Sequence, residues 1–186
     1  ALSIKQLLLG RVMLGRAGNN ASTLAEGVDA ALDSDGRTHR LERLQARLGQ
    51  LDLSGDATLA ADQPFALKAQ AVLKGRALDH PFLLNLSGSG TLEQLEVDGT
   101  VLAGTDENKK SVATGDLHVR LMPFAAQPVA SLGLKLGGID PSLLFAGAPQ
   151  ALLDIDAQLE SQPAEPGQSA ASGSLRITNR RSGAFD

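Results

Sequence analysis

The chain contains no cysteine, no tryptophan and no tyrosine, and its five phenylalanines bring aromatic content to only 3% of 186 residues. Without cysteine, neither a disulfide framework nor thiolate chemistry at a metal or redox centre is available. A compact sandwich or barrel of this length normally uses several large rings to fill its centre, so a thick core is under-supplied. No apolar run approaches the roughly eighteen residues of a membrane-spanning helix, and the N-terminus lacks a basic segment followed by an apolar one. Charge of one sign is missing too. The net charge of -4 is mild and mixed along the chain, which argues against nucleic acid as a partner, since phosphate contact calls for a basic patch and stacking aromatics.

What the chain has in quantity is aliphatic surface. Hydrophobic residues make up 42% of it, carried by Leu, Ala and Val and laid out with period two. In residues 51–102, Leu51, Leu53, Gly55, Ala57 and Leu59 fall on one face, with Asp52, Ser54, Asp56 and Thr58 on the other. The alternation returns in Phe65, Leu67, Ala69, Ala71 and Leu73 against Lys68, Gln70 and Lys74, again in Phe82, Leu84 and Leu86, and again in Leu95, Val97, Gly99 and Val101. Ala61-Asp62-Gln63-Pro64 and Asp79-His80-Pro81 supply turn chemistry between these runs. No segment offers the helical crossover that parallel strands need, so the expected topology is an antiparallel meander.

The pattern extends in both directions. Residues 1–15 read as one or two strands, 17–22 as a turn, and 24–32 as a strand ended by Asp33-Ser34-Asp35-Gly36. Residues 38–51 carry two signals: Leu41, Leu44, Leu48 and Leu51 match a helical stripe, while Leu44, Ala46 and Leu48 alternate and run directly into Leu51. We assign strand. Further strands are expected over 112–121, 131–137, 152–159 and 172–179, with loops at 105–110 and 162–168. Near 140–146 the character changes, because Asp140 can cap a helix and Pro141 suits its first position, which predicts one short helical turn. The expected fold is all-β, an elongated curled meander whose apolar face forms a groove. A loose unit of about ten to fifteen residues recurs, so residues 1–186 are expected to be one fragment of a longer array, with 1–36 a candidate for a neighbouring unit.

Reactive constellations are scarce. His39, His80 and His118 show no metal-ligand spacing. Asp154, Asp156 and Glu160 project to one face and could receive a divalent cation, but the polar side of an amphipathic strand is by far the better reading of them. Ser87 and Ser89 lack the glycine two residues earlier that a nucleophile elbow needs, and Gly88 and Gly90 are better taken as a bend or bulge. Asn20-Ala21-Ser22 and Asn85-Leu86-Ser87 are formal glycan acceptors of a kind common by chance. No catalytic residue, metal site or cofactor is expected, and the chain is not expected to be an enzyme. The expected site is the apolar face itself, with Leu51, Leu53, Leu67, Leu73, Leu84, Leu86, Val97, Leu134, Leu136, Ile155, Leu175 and Ile177 lining a groove for lipid or client protein.

Several short motifs occur in a telling order: L-x-L-x-G-x-A-x-L-A-A at 51–61, Gly-Thr-Leu at 90–92, Pro-Phe-Ala at 123–125 with Pro128, Asp140-Pro141 with Ala148-Pro149, and Gly-Ser-Leu-x-Ile-x-Asn-x-x-Ser-Gly-x-x-Asp at 173–186. In this order they resemble the TamB family, the inner-membrane subunits of the translocation and assembly module within the AsmA-like group. The likeness spans most of 37–186. It implies a long periplasmic sheet folded into an open, taco-like groove, held to the inner membrane by an N-terminal segment outside this chain. The far end would meet an outer-membrane barrel partner of the TamA type. The implied role is outer-membrane biogenesis, either by conducting phospholipid acyl chains between the two membranes or by assembling unfolded outer-membrane barrel and autotransporter proteins through strand addition.

Overall fold

The computed structural model describes residues 1–14, 22–77, 80–105, 111–125, 127–144, 147–162 and 170–181. Eleven strands follow one another: β1 (Leu2–Leu14), β2 (Ser22–Ser34), β3 (Thr38–Leu48), β4 (Leu51–Ala60), β5 (Ala66–Ala77), β6 (His80–Thr91), β7 (Leu95–Thr105), β8 (Ser111–Leu121), β9 (Val129–Ile139), β10 (Leu153–Gln162) and β11 (Ala170–Asn179). They form one sheet whose spatial order is the chain order, each pair antiparallel, with β1 and β11 at its two open edges. The expected meander is therefore the observed one. A helix of one turn, α1 (Pro141–Leu144), interrupts it where the Asp-Pro pair stands. The turn expected at 17–22 and the loops at 105–110 and 162–168 lie almost wholly outside the described residues.

Local chemistry accounts for the corners. Between β2 and β3 the Asp35 carboxylate accepts hydrogen bonds from the backbone N–H groups of Arg37 at 2.8 Å and Thr38 at 2.7 Å, while Gly36 takes a φ of +87° that a side chain would resist. Between β6 and β7 the Thr91 hydroxyl accepts from the N–H of Gln94 at 3.2 Å. Asp140 caps α1 by accepting from the Ser142 N–H at 3.0 Å and from its hydroxyl at 2.7 Å, as the sequence predicts.

Residues 38–48 are strand, and the helical stripe has a specific cause. Leu41 lies opposite Ala57 and Leu44 opposite Gly55, so β3 carries one more residue than β4 between these pairs. That bulge, with Arg43 at φ +54°, puts two leucines three residues apart on the same face of a strand.

There is no second layer over the sheet among the described residues. The buried residues there are all small, Ala25, Ala30, Ala31, Ala46, Ala113 and Ala151 with Gly99 and Gly104, and no larger side chain is enclosed. The accessible surface is 12980 Å², against roughly 8,500 Å² for a compact monomer of this mass. Cohesion therefore comes from ladder hydrogen bonds and from side chains leaning on their cross-strand neighbours, each such pair contributing about 0.2–1 kcal/mol.

Candidate functional site

Residues paired across antiparallel strands project to the same face, so the register converts eleven alternating patterns into continuous rows. One row begins at Ile4 and passes through Leu32, Leu41, Ala57, Ala69, Gly88, Val97, Val119, Leu132 and Leu159 to Gly173. It crosses every strand without a polar side chain. Beside it runs Leu44, Gly55, Ala71, Leu86, Gly99, Leu117, Leu134, Ala157 and Leu175, and beside that Ala46, Leu53, Leu73, Leu84, Val101, Gly115, Leu136, Ile155 and Ile177. Adjacent rows are about 7 Å apart, two residues along a strand.

All twelve expected groove residues fall on this face. Leu53, Leu73, Leu84, Leu136, Ile155 and Ile177 share the third row, Leu86, Leu134 and Leu175 the second, and Val97 the first. Leu67 stands two residues before Ala69 and Leu51 two before Leu53, on the same side of their strands. Several equal members went unpicked from the sequence: Ile4, Leu32, Leu41, Leu44, Val101, Leu117, Val119, Leu132 and Leu159. Their signal was alternation in their own strands, and the missing information was the register that joins one strand to the next.

Along the middle strands these side chains are half-buried, each sheltered by its neighbours. A methyl built on Gly99 would sit 2.9 Å from one Leu86 methyl and 3.2 Å from one Leu84 methyl, so the two leucines lean over the glycine. Shelter fails at the last strand, where Leu175 is 67% and Ile177 57% exposed.

The opposite, wet face is predominantly polar, with Leu8, Val72, Leu83 and Leu102 as apolar exceptions. Its central row, Ser3, Asp33, Arg40, Thr58, Lys68, Ser89, Glu96, Arg120, Ser131, Glu160 and Ser172, is polar in every strand. Oppositely charged side chains meet across strands there: Arg11 with Glu26 at 3.4 Å, Arg47 with Asp52 at 3.4 Å, and Asp154 with Arg180 at 2.7 Å. A depression of about 670 Å³ lies between two of its rows, lined by Asn85, Asp98, Thr100, Asp116, His118 and Lys135 among others.

The acidic trio does not gather as a cation site. Asp154 is engaged by Arg180 and accepts from the Gly138 N–H at 3.2 Å, Asp156 stands between Lys135 and Arg176 in register, and no cluster of three carboxylate or imidazole ligands forms among the described residues. His118 meets Asp98 at 2.8 Å and His39 meets the Ser34 hydroxyl at 2.8 Å, both on exposed side chains. Gly90, at φ +144°, marks the end of β6, and Ser87 and Ser89 face solvent inside that strand opposite Asp98 and Glu96, with Asp98 turned to His118.

Comparison of the chain with protein-family models, with characterised proteins and with solved structures finds no match.

Proposed function

We propose that this chain is a periplasmic segment of a protein anchored in the inner membrane, and that its oily face conducts phospholipid acyl chains in support of outer-membrane biogenesis. The observation that carries this reading is the row from Ile4 to Gly173, apolar in all eleven strands and covered by no second layer among the described residues. An acyl chain laid along such rows gains about 0.8 kcal/mol per buried methylene. It would meet no charge to stop it while headgroups remain in water. The order of short motifs shared with the TamB family supports the same reading and its partner, an outer-membrane barrel protein of the TamA type.

Capture of a photo-crosslinkable phospholipid tests it. Leu84→Asp and Leu134→Asp are expected to abolish labelling while the sheet keeps its circular dichroism, because an open wall can hydrate where a packed core cannot. Leu102→Asp, on the wet face and already 41% exposed, is expected to leave labelling unchanged. Global unfolding by either of the first two changes would show a dry structural face instead of a conduit.

A second reading, strand addition by unfolded outer-membrane proteins, draws on the outer edges of β1 and β11, each paired on one side only. It makes a different demand: a client strand would protect backbone amides of β1 or β11 and be indifferent to Leu84→Asp.

A further inference from the structure

Among the described residues the β2–β3 ladder has the fewest opposed pairs in the sheet, and the β1–β2 ladder beside it also loses register twice, between Ile4 and Leu7 and between Val12 and Met13. β5 and β6 pair without interruption from Ala66 opposite Thr91 to Ala77 opposite His80, whereas β2 and β3 lose register twice, between Glu26 and Asp29 and again between Asp29 and Ala31. The flanking strands share the fault. β1 carries an extra residue between Ile4 and Leu7, opposite β2, and β3 carries one between Leu41 and Leu44, opposite β4. Gly27 takes φ +58° and Arg43 φ +54°, the second in a left-handed conformation that an arginine seldom adopts. Each bulge bends its strand and leaves a backbone group without its ladder partner.

Near the hairpin turn His39 meets Ser34 and Arg40 meets Asp33 across this seam, and one side chain reaches beyond it to β1. Arg43 on β3 reaches past β2 and donates from Nη2 to the Lys5 carbonyl oxygen in the β1 bulge, at 2.7 Å. At this level β2 offers only Ala30 and Ala31, 2% and 8% exposed. On the other side of the bulge, Gln6 donates to Asp29 at 3.1 Å, which ties β1 to β2 and not to β3. A left-handed backbone at Arg43 whose own side chain is tied to the β1 bulge is the arrangement expected of an element with two positions.

We propose that the sheet is jointed at the β2–β3 seam: the β1–β2 hairpin is a flap that moves against β3–β11, His39 and Arg40 keep it hinged at the turn, and Arg43 is the strap that ties β1 to β3. The flap carries Ile4, Leu7 and Leu32, so its movement would lengthen or shorten the oily face at the β3 end. The joint follows from strand pairing alone and holds whatever occupies that face.

Residue-resolved hydrogen exchange on the whole chain tests the joint. Amides at 4–12 and 28–32 are expected to exchange faster than those of β5 to β8 and to gain at least a further tenfold in Arg43→Ala, with β5 to β8 unchanged. Arg43→Gly, which accepts the left-handed φ but has no guanidinium, is expected to match Arg43→Ala. Because the chain has no cysteine, a Glu26→Cys, Arg47→Cys pair at directly opposed positions gives a reversible lock, expected to slow flap exchange until it is reduced. The joint is overturned by equal acceleration in all strands, or by Arg43→Gly protecting the flap as well as arginine does. Should Arg43→Ala fail to fold, flap exchange that ignores the lock in the otherwise unaltered chain overturns it equally.

Discussion

Gly115 and Gly133 stand on neighbouring strands yet bear opposite consequences for a side chain. A methyl on Gly115 would fall on the Lys135 carbonyl oxygen and lie 2.6 Å from a Leu136 methyl, so the pairing of β8 with β9 has to give. Gly115→Ala is expected to destabilise by about 1–3 kcal/mol, measured by urea denaturation. On Gly133 the nearest atom to such a methyl is 3.9 Å away, and Gly133→Ala is expected to be neutral or to stabilise by up to about 1 kcal/mol through the unfolded chain. Two carboxyls set a pH dependence at the same scale. The backbone N–H of Arg37, then that of Thr38, holds Asp35 below its ordinary value, and the Ser142 hydroxyl does the same for Asp140. A carboxyl lowered in the folded state contributes stability above its unfolded value and loses it as pH falls through the folded one. The urea midpoint should therefore drop as pH falls below about 4, and the Asp35→Asn, Asp140→Asn double variant should drop less.

Among the elements, charge on the wet face reinforces the register that the oily face and the turns set. Arg11, Glu26, Arg47, Asp52 and Lys74 stand opposite one another from β1 to β5 with alternating sign. These side chains are exposed, with Arg47 and Asp52 at 67% and 73%, so each contact is worth only about 0.2–1 kcal/mol. A slip of one residue would cost far more, since it would turn Leu53 to water and Asp52 to the oily face. Asp52→Lys places three cations in line and is expected to lower stability by up to about 1 kcal/mol at low salt. In high salt most of that loss should return, which separates repulsion from lost packing.

For the whole molecule, a single layer means that less surface disappears on folding. An unfolded chain of this mass exposes roughly 28,000 Å², so with 12980 Å² still accessible the area gained on unfolding is about three-quarters of that for a compact protein of equal length. The urea m-value scales with that area and should be lower in the same proportion. A value typical of a compact chain of this size would mean that the oily face is closed in solution, by a second copy or by a sharper curl. That outcome would leave the acyl chain no surface to follow.

The strands were legible from residue 51 onward because most hold a period of two over their length, with bulges among the described residues only near Leu121 and Leu153, their turns are written in Asp, Gly and Pro, and hairpin pairing is local. Within the first fifty residues the same code is blurred, and the bulges are the reason. Each extra residue in β1 and β3 shifts the alternation by one, so Ile4 and Leu7, like Leu41 and Leu44, look three apart where a strand should show two. That strands exist, that they meander, that one face is oily, and that Asp140 and Pro141 start a helical turn can all be read along the chain. How the strands line up into rows, which leucines complete them, where the bulges fall, and that Arg43 reaches Lys5 emerge once the strands are paired. Side-chain alternation is a property of one strand and can be read along it, whereas register is a relation between two strands. A bulge is tolerated or not according to what its neighbours can accept.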